Sequence, residues 1–329
     1  EQVLRIDPRH FLALLMKGTL LDRPGQEKAA ALAYGVALSQ APPDAQLDPA
    51  TRQALLRARQ LNQSYVSELN AFIRQKLDAA TAPVSSPEAV RISLFIDAVL
   101  GRRKIYRQEP TDYHYPGLPA IEFYEREVFD WLPGFEAATG VIQQELAQVM
   151  HSDEGMTPYI SYPDNVPLDQ WADLNNSLRW SAFHFFHFGR PYPDNCARCP
   201  QTMAALSTLP QPQVGGRMPA AMFSVLKPRT RIPPHTGVAN IRLVVHLPLI
   251  VPEGCGFRVG NQTRPWRVGE AFVFDDTIEH EAWNDSDEVR VVLIADIWNP
   301  RLSAAEQALI AQMMTAMDEF NGASTPLPL

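Results

Sequence analysis

Cysteine is scarce: three residues, Cys196, Cys199 and Cys255, in a chain of 329. So small and odd a set does not make a disulfide framework and fits a reducing compartment, with the cytoplasm as the default expectation. The chain has no run of about 18 apolar residues, so no membrane insertion is expected. Basic charge is also short, with 29 Lys and Arg against 37 Asp and Glu for a net charge of −8. That balance argues against nucleic acid as a partner, because neutralising phosphates takes clustered cations. A second cysteine pair is missing as well. A structural zinc site takes about four ligands, so Cys196-Ala197-Arg198-Cys199 reads as part of a loop rather than a metal centre. No charged segment followed by an apolar core opens the chain, although a first residue of Glu rather than Met suggests that an upstream piece was trimmed.

What is present divides into two textures. The length suits a catalytic body with an appendage, and we place the boundary between 1–108 and 109–329. The first part reads as helical, with apolar residues at three- and four-residue spacing and Ala-rich faces. Between Leu4 and Leu38 the pattern is a hairpin. Asp7-Pro8 opens one helix, Pro24-Gly25 breaks it, and Ala30, Ala33, Tyr34, Ala37 and Leu38 line one face of a second. Residues 48–80 and 87–105 continue as helices, separated by Ala82 to Pro87. The Ile6-Asp7-Pro8 segment, Gly18 and the small-aromatic-small stripe through Tyr34 resemble one tetratricopeptide repeat, without a second clean copy. An Ala-rich bundle with no repeat is the alternative.

Beyond residue 110 prolines and aromatics gather, and short apolar runs alternate with turn signals as in a β-sandwich or barrel. The expected strands are Ala221 to Leu226, Ile241 to Leu247, Gly256 to Val259, Ala271 to Phe274 and Val289 to Ile297. Ser303 to Phe320 reads as a closing helix, with Ser303 as cap and Glu306 three positions on. Trp131, Trp171 and Trp266 are expected as core or loop anchors.

Arg290 is the main physical anomaly. It lies in Val289-Arg290-Val291-Val292-Leu293-Ile294-Ala295, a run expected to be buried on both faces, where a permanent charge needs an anionic partner. Asp275, Asp276 or Asp296 could supply it, and so could the carboxylate of a small molecule gripped by the planar guanidinium. Two histidines lie where such a site would want a metal: His235, after Pro233-Pro234, and His280, between two strands. Each taken alone is an ordinary strand-end histidine; their joint placement ahead of Arg290 favours an imidazole-bound iron, zinc or copper. Period-two alternation puts Ile241, Leu243, Val245 and Leu247 on one face and Asn240, Arg242, Val244 and His246 on the other. The second face either lines a cavity or is simply solvated.

Phe223-Ser224-Val225-Leu226, Pro234-His235-Thr236-Gly237, Asn240 to His246, Glu253-Gly254-Cys255, Phe274 to Glu281 and Asp296-Ile297-Trp298 closely resemble the aspartyl/asparaginyl β-hydroxylase family, in order and spacing, over about residues 116–302. The resemblance implies an α+β chain whose C-terminal part is a double-stranded β-helix, a jelly-roll or cupin-like oxygenase domain, behind the tetratricopeptide-like helices. It implies Fe(II) on His235 and His280. It also implies 2-oxoglutarate with its distal carboxylate on Arg290 and Ser224, His246 beside its other end, Val244 and Phe186 in the same pocket, and O2 as the oxidant. Gly237 stands where most related oxygenases carry an acidic ligand, which leaves that position to water or, in principle, to a halide.

Two departures bear on the substrate. Arg242 matches a family arginine and is the expected substrate contact, but Val244 replaces a second one. Phe186 stands where a tryptophan is found in the animal enzymes. The expected activity is hydroxylation of the β-carbon of an aspartyl or asparaginyl residue in a peptide or protein, with succinate and CO2 as coproducts and the helical region helping to hold the partner. A lipid acyl hydroxylase and a catalytically silent binding module are the alternatives.

Overall fold

The computed structural model describes residues 1–78, 87–152, 154–163, 165–214 and 216–321, so that most of the expected break at Ala82 to Pro87 lies outside the described residues. The chain forms two compact units, Glu1–Lys104 and Ile105–Leu329. Among the described residues no helix is long and apolar enough to cross a membrane.

The first unit is helical: α1 (Gln2–Ile6), α2 (Phe11–Leu21), α3 (Glu27–Leu38), α4 (Pro49–Asp78) and α5 (Pro87–Val99). Leu14 and Leu15 of α2, Ala30, Tyr34 and Ala37 of α3, and Leu55 and Ala58 of α4 make its core. A side chain on Gly18 would run into the ring of Tyr34, so the close α2–α3 crossing needs glycine there. Asp7-Pro8 does not open a helix, contrary to expectation. Asp7 ends α1 and its carboxylate accepts from the Arg9 amide at 3.0 Å, while the ring of His10 caps α2 by accepting from the Ala13 amide at 3.3 Å. The side-chain turn at Asp7 competes with helix and wins.

The second unit begins with α6 (Leu132–Ala137) and α7 (Thr139–Ser152), followed by β1 (Met156–Pro158), β2 (Trp180–His187) and β3 (Arg190–Pro191). Two short helices, α8 (Pro193–Arg198) and α9 (Pro200–Leu206), come next. The strands β4 (Ala221–Leu226), β5 (Thr230–His235), β6 (Arg242–Ile250), β7 (Cys255–Val259), β8 (Gln262–Arg264), β9 (Phe272–Phe274), β10 (His280–Asn284) and β11 (Arg290–Trp298) complete the β region, and α10 (Ala304–Asn321) ends it. Among the described residues all strand pairings are antiparallel. A seven-stranded sheet runs β1-β2-β4-β11-β6-β9 with β3 on β2, and a four-stranded sheet runs β5-β10-β7-β8, so the chain from β4 onward passes back and forth between two sheets.

Both faces of the large sheet are buried. On one, Phe183, Phe223, Leu243, Val245 and Leu293 pack with Leu132, Phe135, Ile142, Leu146 and Leu206 of the helices. On the other, Trp180, Leu226, Val244 and Val292 meet Ile232, Phe257, Val259 and Ala282 of the small sheet. This double burial explains the continuous apolar run of β11, and it leaves Arg290, at the head of that strand, inside. Ser303 and Glu306 form a reciprocal cap on α10. The Ser303 amide donates to Glu306 Oε2 at 2.7 Å and the Glu306 amide donates to Ser303 Oγ at 3.3 Å.

Candidate functional site

His235 closes β5 and His280 opens β10, and the two are register partners across that pair. Their ring centroids lie 4.1 Å apart with planes at 50°. β5 reaches this point through Pro233-Pro234, which it can do because it is the edge strand of the small sheet and has no further neighbour to lose hydrogen bonds with. Each imidazole is clamped by its own chain. Nδ1 of His235 donates to the Pro233 carbonyl at 2.8 Å, and Nδ1 of His280 donates to the Ile278 carbonyl at 3.1 Å. A carbonyl can only accept, so the proton sits on Nδ1 and Nε2 is left bare in both rings. Burial, and after it the neighbouring His280, pushes His235 down to about 3; burial pushes His280 down to about 4. Both rings are therefore neutral donors at ordinary pH. Among the described residues no group of three or more His, Cys, Asp or Glu comes together to hold a metal, so these two rings form a pair without a third protein ligand.

The space two residues after His235 is occupied from elsewhere. The Gly237 amide donates to the Asp276 carbonyl at 2.7 Å, and a Cβ at position 237 would fall inside the Asp276 carboxylate. That carboxylate is held by Arg242 Nη2 at 2.9 Å, and its Oδ1 is buried without a partner. Gly237→Asp should therefore lower stability by about 1–3 kcal/mol, the usual scale of overpacking, instead of adding a metal ligand. Denaturant unfolding of the metal-free protein tests the first half. Tighter Fe(II) binding by the variant would show that the space is open after all.

Arg290 is 1% exposed. Its Nη1 lies 3.3 Å from the Ser224 carbonyl and 3.5 Å from Ser224 Oγ, its guanidinium carbon stands 4.6 Å from the centre of the Trp266 ring, and its Nε has no partner. Burial pushes the guanidinium down to about 10, which still leaves it charged at neutral pH. The three candidate acids for a structural ion pair are engaged elsewhere. Asp275 accepts from Thr277 and Gln108, while Asp276 and Asp296 face Arg242. Among the described residues no carboxylate pairs with Arg290.

Of the other expected residues, Ser224, Val244 and His246 do come to this inner face. Ser224 Oγ also accepts from Trp180 Nε1 at 3.2 Å. His246 sits in a cage of Phe274 at 4.8 Å, Phe257 at 4.9 Å, Phe272 at 5.5 Å and Trp266 at 6.1 Å, with Nδ1 unpartnered. Burial, then the charge of Arg290, keeps it well below the usual histidine range. Arg242 shares the face but is not free, with Asp276 at 2.9 Å and Asp296 at 3.3 Å. Burial opposes its charge, and the two carboxylates outweigh burial and raise its pKa.

Phe186 is not at the site. A bulge between His184 and Phe186 shifts the register of β2, pairs Phe186 with Ala221, and turns it toward the core beneath the helices. The aromatic wall comes instead from Trp180, with Tyr159 stacked on it at 4.0 Å and Trp171 edge-on to His235 at 5.2 Å. Trp266 lies in the core between the sheets with Trp171 packed against it, and Trp131 packs among Phe129 and Phe135, all three as expected. Trp180 shares this face because Ala182, two residues on in the same strand, is the register partner of Ser224. Cys196 and Cys199 are free thiols in α8 and at the head of α9. Burial pushes Cys199 up to about 12, away from thiolate chemistry.

Comparison with known proteins finds several similar chains. Mouse aspartyl/asparaginyl beta-hydroxylase is 38% identical over 199 residues, 59% of this chain and 25% of that protein. Human aspartate beta-hydroxylase domain-containing protein 2 is 30% identical over 205 residues, 61% of this chain and 53% of that one. The ornithine lipid ester-linked acyl 2-hydroxylase of Rhizobium tropici is 32% identical over 230 residues, 69% of this chain and 75% of that one. The chain thus spans about a quarter of the length of the mouse enzyme and three quarters of the bacterial one. The sequence model of the aspartyl/asparaginyl beta-hydroxylases matches residues 136–300, half of the chain, and the protein belongs to that family.

Proposed function

We propose that this chain is an Fe(II)- and 2-oxoglutarate-dependent dioxygenase built on a double-stranded β-helix, and that it hydroxylates the β-carbon of an aspartyl or asparaginyl residue in a peptide or protein. The observation that supports this best is a buried, charged Arg290 without a carboxylate partner among the described residues, on the same inner face as two neutral imidazoles whose Nε2 atoms carry no proton. The back-and-forth of β4 to β11 between two sheets supports the fold.

The residues present fit the metal and its cosubstrate. His235 and His280 would hold a first-row divalent ion through nitrogen, and a two-imidazole pair leaves coordination positions for a keto acid, water and dioxygen. Bound iron supplies the activation of O2 that couples conversion of 2-oxoglutarate into succinate and CO2 to insertion of one oxygen atom into an unactivated C–H bond. The protein's own part is placement. Arg290 and Ser224 bind the distal carboxylate, neutral His246 stands beside the other end of the keto acid, and the aromatic cage excludes water. The helical unit would help hold the partner.

A second substrate class, a lipid acyl chain, is favoured by one feature of the inner face. Arg242 is already neutralised by Asp276 and Asp296, Val244 is apolar, and Trp180, Tyr159 and Trp171 form the adjoining wall, so little there would meet an acidic side chain. The Rhizobium relative, matched over most of its length, carries such an activity in its name.

One experiment separates these readings. Protein loaded anaerobically with Fe(II) and 2-oxoglutarate is mixed with a peptide library or with acyl lipids and then exposed to air. Substrate-dependent succinate release with a gain of one oxygen atom on a peptide is the expected result. The same signature only on acyl lipids would move the substrate to the second class. No turnover together with no 2-oxoglutarate binding would sink the oxygenase assignment.

A further inference from the structure

We propose that Trp266 completes the cosubstrate slot, its indole N–H donating to the distal carboxylate of 2-oxoglutarate while its ring fixes the guanidinium of Arg290. The inference rests on the oxygenase reading above and adds a residue that neither the motifs nor the family resemblance assigned.

Hydrogen-bond accounting leads to it. A carboxylate offers about four acceptor positions. Arg290 Nη1 is occupied by the Ser224 carbonyl at 3.3 Å, which leaves the edge formed by Nε and Nη2, one side of the guanidinium fork, without partners among the described residues. That edge supplies two parallel N–H bonds. Ser224 Oγ accepts from Trp180 Nε1 at 3.2 Å, so its own hydroxyl proton is free to serve as a third donor. A fourth is needed.

Trp266 has one in the right neighbourhood. It is 4% exposed, and its Nε1 is buried with no hydrogen-bond partner among the described residues. Leaving an indole N–H dry costs free energy that a purely packing residue would avoid. The surrounding positions Phe257, Phe272 and Phe274 show that plain phenyl rings build the rest of this cage. The indole lies nearly parallel to Phe257, with centroids 5.4 Å apart at 24°, and Arg290 sits over its face with the guanidinium carbon 4.6 Å from the ring centre. In contact with both, it cannot swing without disturbing Phe257 and Arg290, so it helps hold the guanidinium in place before any ligand arrives. Three buried polar atoms without partners, Arg290 Nε, Trp266 Nε1 and His246 Nδ1, belong to this one group of side chains, and a dicarboxylate keto acid is a ligand that would satisfy them together.

Trp266→Phe keeps an aromatic face over Arg290 and deletes the N–H together with the second ring, a packing change that the two keto acids below tell apart from the lost donor. Calorimetric titration of the Mn(II)-loaded protein with 2-oxoglutarate under argon should show a dissociation constant raised about tenfold or more, the scale of one hydrogen bond to a charged group. 2-Oxobutyrate, which has the same keto-acid head but no distal carboxylate, should bind variant and wild type alike. In the Zn(II)-loaded wild type, the indole N–H resonance that is missing from the variant should shift when 2-oxoglutarate is added. Unchanged 2-oxoglutarate affinity, an equal loss for both keto acids, or an indole resonance that stays in place would each assign Trp266 to packing and overturn the proposal. If Arg290→Met also left 2-oxoglutarate affinity unchanged, the cosubstrate assignment itself would fail.

Discussion

Replacing His235 or His280 by alanine should abolish succinate formation and weaken divalent-metal binding by more than about 100-fold. Loss of an outer partner of a metal-bound histidine already costs 10- to 100-fold in affinity, and each imidazole here is one of only two protein ligands proposed. The pair should also behave as a unit, so that the double alanine variant is hardly worse than either single one in turnover. Folding should survive, because His235 lies on an edge strand, His280 is the first residue of β10, and each ring bonds to a carbonyl of its own segment. Titration with Co(II), which absorbs visibly when imidazole-bound, measures the metal term apart from activity. Wild-type affinity in either variant would remove that histidine from the metal site.

Arg290→Met should move two quantities in opposite directions. The native guanidinium is buried, charged and without a counter-ion among the described residues, so the metal- and cosubstrate-free protein bears an uncompensated desolvation cost. An apolar side chain of similar length removes that cost. The apoprotein should gain about 1–3 kcal/mol, on the order of 2–10 °C in melting temperature for a unit of this size. Affinity for 2-oxoglutarate should fall by more than about 100-fold, since two charge-assisted hydrogen bonds are lost together. Arg290→Lys should retain neither benefit, keeping the buried charge and losing the fork. Thermal melts with and without 2-oxoglutarate read both effects in one series. A methionine variant that melts lower than wild type and still binds the keto acid would mean that Arg290 is structural.

The sequence disclosed the large sheet better than the small one, for a physical reason. β4 and β11 are buried on both faces and write themselves as apolar runs, and β6 announces its two faces by alternation: Leu243, Val245 and Leu247 pack beneath the helices while Arg242, Val244 and His246 face the small sheet. The Ser303 and Glu306 cap was equally readable, because a local motif needs no tertiary context. β5 and β10 were not read as strands. One carries Pro233-Pro234, which only an edge position tolerates, and the other is short and polar. The candidate site shows the same division. His235, His280 and Arg290 stand out as chemical types in unexpected places. Trp180 and Trp266 do not, because a tryptophan in a sequence carries no mark of what its N–H will meet. Phe186 was misplaced by a single bulge in β2, a one-residue slip that turns a side chain to the opposite face.

The manner in which the two imidazoles are oriented has a consequence for how such a centre can change. Each ring takes its tautomer from a main-chain oxygen two positions earlier, and main-chain atoms are the same whatever amino acid occupies the place. Mutation at those upstream positions can alter packing without flipping the proton to the other nitrogen, provided the backbone path is kept. Ligand readiness is in that sense written into the shape of two short segments, which leaves the walls around them open to divergence toward different substrates.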